Sequence, residues 1–388
     1  MYIVQFTHPN FLYSQSMPRF AEMIVDGMRK RGHHVDIWTA RPFFYNFPVP
    51  TRFKKWLGYI DQFIIFPINV LWRLRKLSSN VFFVFSDQAL GPWVPLVANR
   101  PHAIHVHDFM ALRSALGDFP QNPTSWTGRR YQAFIRRGFN KGSCFLSVSE
   151  NTRKELHHFL VNEPMLSKVI YNGLNFPFRP MSLIECEASF STIGLAVPPS
   201  SFLLHVGGNQ WYKNREGVLA IYEAYALQTK DPLPLWMVGA PPTLVMADSA
   251  RRVAGKGDVK FLTGFSDEQV CAAYSCARLL IFPSLAEGFG WPIAEAMASG
   301  CLVLTTGEAP MTEVGGAASF YVPSKPVGDS GSWAVEVGSY VSEILNLMPD
   351  QVSNRKKLGY LQVKQFDADK TLDAYDRIYH RALAKYKL

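Results

Sequence analysis

Short apolar runs alternate along the chain with longer segments of helical periodicity. Residues 2–6 are an apolar run that predicts a buried strand, and residues 16–31 carry apolar side chains at the spacing of an amphipathic helix. Gly32 is predicted to end that helix, and residues 34–39 alternate as a second strand. A strand, a helix and a strand in this order favour a parallel sheet, because the helix carries the chain back to the same edge.

The same alternation continues through the chain and predicts an α/β protein. The length of 388 residues is enough for two α/β domains. We predict a first domain over residues 1–180, a second over 181–362 and a helical tail over 363–388 that crosses back to the first domain. Residues 181–200, which end in Pro198-Pro199, are predicted to be a linker. Further strands are predicted at residues 81–85, 103–108, 202–206, 235–239, 259–265, 279–282 and 302–304.

Two carboxylates flank a glycine-containing turn in the second domain. Glu287 follows the apolar strand 279–282, and Glu295 lies in the first turns of a helix whose predicted start is Pro292. Glycines in the turn allow positive φ and close approach of a ligand to the backbone. Since a helix start attracts anions, this turn can hold a sugar, its phosphate and a ribose together.

This turn resembles the E-x7-E signature of the retaining glycosyltransferases of family 4. In that family the segment reads close to EGFG-x-P-x-x-EAMA-x-G. The chain matches it at Glu287, Gly288, Phe289, Gly290, Pro292, Glu295, Ala296, Met297, Ala298 and Gly300. The resemblance implies the α/β fold called GT-B, with two Rossmann-like doubly wound parallel-sheet domains facing a central cleft. It also implies transfer of a sugar from a nucleoside diphosphate sugar to an acceptor hydroxyl, with retained anomeric configuration.

The resemblance further implies which residues bind the donor. Glu287 is expected to orient the sugar, and Glu295 to accept hydrogen bonds from the ribose. Lys213 matches the family's KN pair and is expected to bind the diphosphate, while Arg215 is a candidate substitute for the family's VGR arginine, whose position holds Gly208. Alternatively, Arg215 is a solvated helix residue. The other expected donor-binding residues are Gly207, Gly208, Asn209, Gly264, Phe265, Gly288, Phe289 and Gly290.

Acceptor-side residues are expected in the first domain. His107 and Asp108 end the predicted strand 103–108, and ligands of doubly wound sheets bind at the carboxyl ends of strands. Many family members end this strand in His-Asp, so the resemblance implies that His107 faces the reacting sugar; His105 is expected in the core. His8 stands where the family has a glycine pair, and it is either an acceptor contact or an ordinary turn histidine.

Charge is uneven between the two halves. Residues 1–180 hold 22 Lys and Arg against 10 Asp and Glu, whereas the whole chain has a net charge of +9. The basic residues of 51–77 are mixed with aromatic ones, and a second basic cluster follows at 129–141. Such mixing suits either peripheral contact with an anionic membrane or a core helix with a solvated edge.

Several other activities are excluded or less favoured. No recognisable nucleic-acid reader is present, and the absence of G-x-G-x-x-G after any strand disfavours an NAD-dependent dehydrogenase. Metal-dependent sugar transferases usually have an acidic DxD pair. The one DxD triplet of this sequence, at 367–369, lies at the start of the predicted tail helix and is explained by helix capping. Neither a metal nor a cofactor is therefore expected for the reaction. Five scattered cysteines without a CxxC pair, and an N-terminus without a basic region, indicate the cytoplasm or the inner face of its membrane.

The acceptor is expected to be a glycan or lipid-linked saccharide for a surface polysaccharide. Alternatives are a nucleotide-sugar epimerase or phosphorylase on the same scaffold, and a non-catalytic sugar- or nucleotide-binding protein.

Overall fold

The computed structural model describes residues 1–12, 16–196, 202–329 and 331–386. The chain divides into two compact units, one formed by residues 1–173 with 368–388 and the other by residues 174–367. Within the described residues each unit contains a six-stranded, fully parallel sheet. The α/β class predicted from the sequence is therefore confirmed.

The first unit is built on the strand order β2-β1-β3-β4-β5-β6. Its strands are β1 Tyr2–Phe6, β2 His34–Trp38, β3 Phe82–Phe85, β4 His102–Val106, β5 Cys144–Ser147 and β6 Leu166–Val169. Its helices are α1 Ser16–Lys30, α2 Thr51–Ile60, α3 Phe66–Leu74, α4 Met110–Leu116, α5 Trp126–Phe139 and α6 Glu150–Phe159. A π-helical segment, Asp61–Ile65, joins α2 to α3 without a break, and Gln88–Val97 is a 3-10 helix after β3.

The second unit has the strand order β12-β11-β10-β7-β8-β9. Its strands are β7 Leu203–Gly207, β8 Leu235–Gly239, β9 Val259–Leu262, β10 Leu279–Phe282, β11 Leu302–Thr306 and β12 Phe320–Val322. Its helices are α7 Leu183–Ser191, α8 Arg215–Gln228, α9 Leu244–Val253, α10 Asp267–Cys276, α11 Trp291–Ala298, α12 Met311–Gly315, α13 Ser332–Leu345 and α14 Pro349–Gln362.

The last helix, α15 Ala368–Lys385, belongs to the first unit. Tyr375 and Tyr379 are buried in the same apolar core as Ile3 of β1 and Phe82 of β3. The hydroxyl of Tyr379 lies 2.6 Å from Nε2 of His105. His105 is therefore a core residue, and α15 covers one face of the first sheet together with α1.

The predicted linker over residues 181–200 is wrong for its first part. Leu183–Ser191 is the helix α7, and a capping box starts it: the Glu185 amide bonds Ser182 Oγ, and the Glu185 carboxylate accepts from the Ser182 amide. Phe190 is buried against Trp236 of β8, so the helix packs on the second unit. The Pro198-Pro199 part of the prediction lies outside the described residues.

Candidate functional site

Each sheet changes the direction of its winding once, and a charged or ionisable pair spans each of these points. In the first sheet the change lies between β1 and β3, and in the second between β7 and β10. Doubly wound folds bind ligands at the carboxyl ends of the strands at such a point. The two pairs are His8 with Asp87 and Lys213 with Glu287.

Lys213 and Glu287 form a short, largely enclosed ion pair at the switch point of the second sheet. Lys213 Nζ lies 2.6 Å from Glu287 Oε1, and the two side chains are 14% and 8% exposed. Lys213 Nζ also stands 5.0 Å from the ring centroid of Phe282, the last residue of β10. A cation over an aromatic face beside a carboxylate is held in one position, so both charged groups are preorganised.

The chain around this pair is fixed by hydrogen bonds from the end of β10. Ser284 donates from Oγ to Glu287 Oε1 at 2.7 Å and lies 2.8 Å from the carbonyl of Tyr212. Asn214 adopts the left-handed conformation (φ 51°), which asparagine tolerates better than most residues, and donates from Nδ2 to the Pro283 carbonyl at 3.0 Å. The loop after β7 and the loop after β10 are thereby joined directly.

Arg215 is buried, contrary to the solvated alternative. It is 2% exposed, its Nη1 donates to Asn209 and, at 2.8 Å, to the Ala240 carbonyl. Its Nε and Nη2 have no hydrogen-bond partner among the described residues. The guanidinium is therefore anchored through one nitrogen, while the other nitrogens retain their capacity to donate.

Two glycines bring the loops after β7 and β8 together. Gly207 and Gly239 are register partners, and a Cβ on Gly239 would stand 2.1 Å from the Gly207 carbonyl oxygen. Gly239 also has φ +141°. Only glycine satisfies both conditions, and the close approach places Asn209 and Ala240 on the same guanidinium.

His205 is a buried imidazole beneath this basic group. Its Nδ1 lies 2.9 Å from the Ile281 carbonyl, which assigns the proton to Nδ1 and leaves Nε2 as an acceptor. Burial, opposed by this carbonyl and reinforced by the charges of Arg215 and Lys213, lowers the pKa of His205 to about 3. The ring is neutral at physiological pH and adds no further positive charge to the site.

The second glutamate lies on α11. Glu295 Oε2 accepts a hydrogen bond from the hydroxyl of Tyr274 at 3.0 Å. Burial and the neighbouring carboxylate raise the pKa of Tyr274 well above its usual value, so the hydroxyl stays a donor. Gly290 precedes the helix with φ +101°, and Phe289 is buried against Phe366. The turn from Glu287 to Glu295 is therefore held at one end by Ser284 and at the other by Tyr274.

The remaining predicted donor residues lie at the carboxyl edge of the second sheet or just beyond it. Gly208 and Asn209 follow β7, and Asn209 Nδ2 donates to the Pro241 carbonyl at 2.8 Å. Gly264, with φ +75°, and Phe265 follow β9, where Phe265 contacts Phe190 of α7. β7, β8 and β9 are adjacent, so these loops share one edge with Lys213 and Glu287.

In the first unit, His8 and Asp87 meet across the switch point. His8 Nε2 lies 2.8 Å from Asp87 Oδ2, and Asp87 Oδ1 accepts from the Ala89 amide at 2.9 Å. Burial alone would raise the pKa of Asp87, but the His8 hydrogen bond, the charges of His8 and His107 and the Ala89 amide hold it below its usual value. Asp87 is therefore an anion that orients His8.

His107 lies one strand further along the same edge. Its Nε2 is 2.9 Å from the Ser86 carbonyl, and its ring meets Phe20 edge-on at 4.4 Å between centroids. Burial lowers the pKa of His107, although Asp87 and the Ser86 carbonyl partly oppose this. Since Nε2 is bonded to a carbonyl, Nδ1 is the nitrogen that can accept from a hydroxyl.

Asp108 has a clear structural role in addition to its predicted one. Its Oδ1 accepts from the Met110 amide at 2.9 Å, at the start of α4, and its carbonyl accepts from Gln88 Nε2. Gln88 Oε1 in turn accepts from the His107 amide at 2.9 Å. The His-Asp pair after β4 is thereby fixed by one glutamine, Gln88, at the start of the 3-10 helix after β3.

A cavity of about 150 Å³ opens beside His8 in the first unit. It lies at the carboxyl ends of β1 and β2, beside α1, and both polar and apolar residues line it. The lining residues are Thr7, His8, Asn10, Pro18, Ala21, Glu22, Val25, Ile37 and Thr39. Hydroxyl, amide, imidazole and carboxylate groups in one small cavity suit a polyhydroxy ligand.

The chain matches two sequence models of sugar transferases. The model described as "Glycosyltransferase Family 4" matches residues 17–176, and the one described as "Glycosyl transferases group 1" matches residues 201–339. The chain belongs to glycosyltransferase family 4. One of the two models matches mainly the first compact unit of this glycosyltransferase, and the other matches the second.

A curated relative matches most of this glycosyltransferase. The O-antigen chain mannosyltransferase B of Escherichia coli is 26% identical over 326 residues, which are 80% of this chain and 78% of the relative. The serotype-specific mannosyltransferase WbdA of Escherichia coli is 31% identical over 182 residues, 45% of this chain and 22% of the relative.

Solved structures share the fold at low identity. Sucrose-phosphate synthase of Thermosynechococcus elongatus has a TM-score of 0.72 at 16% identity and covers 99% of this chain and 100% of its own. WaaG, a glycosyltransferase involved in lipopolysaccharide biosynthesis, has a TM-score of 0.70 at 16% identity, with 97% and 99% covered. HepE of Anabaena, solved with UDP and glucose, has a TM-score of 0.69 at 16% identity and the same coverage. The GT-B fold predicted for this glycosyltransferase is confirmed.

Three residues that contact the predicted site residues could not be named from the sequence alone. Asp87 orients His8, Ser284 bonds Glu287, and Tyr274 bonds Glu295. Asp87 and Ser284 each follow a buried strand within two residues, and that position was the available signal. Tyr274 lies inside a helix and gave no local signal.

Proposed function

We propose that this glycosyltransferase moves a sugar, with retained configuration, from a nucleoside diphosphate sugar to a hydroxyl of a glycan or lipid-linked saccharide. The observation that carries the proposal is the Lys213–Glu287 pair at the switch point of the second sheet. It combines a cation for a leaving diphosphate with a carboxylate for sugar hydroxyls in one preorganised group.

The basic side of the donor site is proposed to be Lys213 with Arg215. Departure of the diphosphate places negative charge on its oxygens, and fixed positive charge stabilises that transition state. Asn209 and the Ala240 carbonyl hold the guanidinium of Arg215 in place, so its side chain loses no further conformational entropy when the diphosphate departs. The partial positive charge at the start of α11 adds to the same field.

The acidic side is proposed to bind the hydroxyls of the donor. Glu287 would orient the sugar, and Glu295 would accept from the ribose, with Tyr274 holding its second oxygen. Neither role requires a metal, so we propose metal-independent transfer without a cofactor. Gly264 and Phe265, which follow β9 at the same carboxyl edge of the sheet, are proposed to contact the nucleotide base.

The acceptor is proposed to bind in the first unit beside His8, His107 and Asp108. The 150 Å³ cavity next to His8 offers Asn10 and Glu22 as additional partners for sugar hydroxyls. The neutral ring of His107 can accept from one hydroxyl through Nδ1 while Ser86 holds the other nitrogen.

The relatives suggest the sugar and the process. Both E. coli relatives are mannosyltransferases, one of them of an O-antigen chain, so we propose mannose as the transferred sugar and a cell-surface polysaccharide as the product. HepE was solved with UDP and glucose, which supports a nucleotide sugar as the donor class.

We also propose peripheral contact of the first unit with an anionic membrane. The contact surface would be the basic–aromatic face, defined as the exposed side chains of α2, the π segment, α3 and α5. Its apolar members include Trp56, Ile64, Ile68, Leu71, Trp72 and Trp126, each at least half exposed. Lys76 stands 3.9 Å from the Trp72 ring centroid, and Arg130 stands 5.2 Å from that of Trp126. No helix in the described part of the chain is long and apolar enough to cross a membrane.

The proposal is tested by offering GDP-, UDP- and ADP-sugars with and without a saccharide acceptor. We expect calorimetric binding of one nucleotide class, weakened about 10- to 100-fold by Glu295→Ala, which removes a charged hydrogen-bond partner. Glu336→Ala, at an exposed position on α13, is the matched control. NMR of the product should show the anomeric configuration of the donor.

Other outcomes separate the alternatives. Conversion of a nucleotide sugar without acceptor indicates an epimerase, and release of a sugar phosphate from a glycan with inorganic phosphate indicates a phosphorylase. Nucleotide binding without turnover under any condition indicates a binding protein.

A further inference from the structure

Two histidines and an aspartate from distant parts of the chain converge on the surface of the first unit. His33 lies in the turn between α1 and β2, while Asp376 and His380 lie on α15. His33 Nε2 is 2.8 Å and His380 Nε2 is 3.5 Å from the same carboxylate oxygen, Asp376 Oδ1. Neither histidine has a part in the proposed sugar transfer.

The arrangement satisfies the geometric needs of a metal site. All three ligand atoms lie within 4.8 Å of one another. Ligand atoms around a tetrahedral zinc ion, bound at about 2.0–2.2 Å, stand roughly 3.3 Å apart. Asp376 and His380 are four residues apart on one helix, so both face the same side and small rotamer adjustments suffice.

The surroundings fix one ligand and leave another accessible. The His33 side chain is 6% exposed, and its second nitrogen lies 2.9 Å from the Met1 amine. The neighbouring Arg31 forms an ion pair with Asp373 at 2.6 Å, so the turn and α15 are held together without a metal. The His380 side chain is 58% exposed and offers an entry path for an ion from solvent.

We propose that His33, Asp376 and His380 bind a divalent transition-metal ion of the zinc class, which fastens α15 to the α1–β2 turn. Two imidazoles and one carboxylate are donors that zinc accepts, with water as the fourth ligand. The site stands at the amino end of β2, whereas His8 and His107 follow the carboxyl ends of their strands. A strand of this length spans about 16 Å, so the ion has a structural role and takes no part in the transfer.

Zinc binding is tested on the full chain after removal of any affinity tag and treatment with EDTA. Titration with Zn²⁺ in competition with a chromophoric chelator should show one ion per chain. His380→Ala, which removes an exposed ligand and should leave the fold intact, should weaken binding by at least about 10- to 100-fold, the loss seen when even outer partners of a metal site are removed. His380→Cys should retain binding, because a thiolate is also a zinc ligand.

The matched control is His34→Ala. His34 is an exposed histidine at the start of β2, 3.5 Å from Asp36, and no third ligand is within reach among the residues that the structure describes. Hydrogen exchange of the α15 amides should slow on addition of Zn²⁺ in the wild type and in His34→Ala, and should not change in His380→Ala. Equal zinc affinity of the wild type and His380→Ala, or no binding by the wild type, overturns the proposal and leaves a hydrogen-bonded network only.

Discussion

Lys213 is the side chain on which the proposed chemistry depends most. It pairs with Glu287 at 2.6 Å and stands over the ring of Phe282, so its position is fixed from two sides. In the proposed reaction, a cation so placed meets the diphosphate without reorganising, and this preorganisation is the main contribution we expect from it.

Replacement of Lys213 by alanine should therefore lower turnover strongly. We expect kcat to fall by about 10²–10³, the usual loss on removal of one charge-stabilising group. The measurement is steady-state transfer with the donor identified by the binding screen. Lys230→Ala, at an exposed position after α8, should keep full activity. Unchanged turnover in Lys213→Ala contradicts the leaving-group role.

The two glutamates, the glycines between them and Lys213 could be predicted because the residues that identify them are local in sequence. Contacts between distant parts of the chain could not be predicted, because Ser284 and Tyr212 are 72 positions apart and His8 and Asp87 are 79 positions apart. Arg215 shows the same limit. Its helix position suggests solvent, but the close contact of Gly207 and Gly239 encloses it.

The helix α11 depends on the conformation of the residue before it. Gly290 has φ +101°, and an added Cβ would stand 3.2 Å from Ile293 Cδ1. An L-residue in that conformation is strained by about 1–3 kcal/mol. Because Gly290 lies between Glu287 and Glu295, relief of this strain would shift the two carboxylates.

Gly290→Ala should therefore lower both stability and donor affinity. We expect a loss of about 1–3 kcal/mol in the free energy of unfolding of the second unit, with a raised KM for the donor. Gly255→Ala is the matched control, because Gly255 has φ +90° and open space around its Cβ position. It should lose similar stability and keep its KM. An unchanged KM in Gly290→Ala would mean that the turn does not position the donor.

The basic–aromatic face exists because two helical segments pack by aromatic contacts. Tyr59 stacks on Tyr131 at 5.5 Å and Phe63 meets Phe134 at 5.4 Å, which leaves the outer rings exposed. The sequence pattern predicted helices here but left open which side faces the core. Asp61, buried and accepting from the Phe44 and Tyr45 amides, fixes that orientation.

Removal of apolar side chains from this face should weaken membrane binding. Ile68→Ser with Trp72→Ser removes two large apolar groups, each contributing about 1.5–3 kcal/mol when fully buried, so vesicle affinity should fall at least about tenfold. Co-sedimentation with vesicles of phosphatidylcholine and phosphatidylglycerol measures it. Leu244→Ser with Val245→Ser, exposed on α9, is the control. Equal binding to purely zwitterionic vesicles would contradict the electrostatic part.

The two units should respond differently to acid. Nine of the ten histidines of the sequence lie in the first unit and one, His205, in the second. Burial lowers the pKa of His102, His105 and His107 below the usual 6.5. Below that pH the unfolded chain therefore binds more protons than the native unit. Each such histidine then lowers the free energy of unfolding of the first unit by up to about 1.4 kcal/mol per pH unit.

Stability of the first unit should be full above about pH 6.5 and should fall more steeply than that of the second as the pH drops below this value. Hydrogen exchange by mass spectrometry between pH 7 and pH 5, corrected for the intrinsic exchange rate, follows both units in one sample. His105→Phe should flatten the response of the first unit if the variant folds; otherwise urea unfolding of the wild type at each pH gives the slope. Parallel loss of protection in both sheets contradicts the prediction.

The return of α15 to the first unit has a consequence for synthesis on the ribosome. Residues 174–367 leave the ribosome before Tyr375 and Tyr379, which complete the apolar layer beneath Ile3 and Phe82. The portion made first is thus the last to acquire its full interior. Helix α1 already lies on this face of its sheet, but the part beneath α15 stays uncovered while the portion made second can already close. A nascent chain stalled before residue 368 should be a preferred client of chaperones that bind exposed apolar strands.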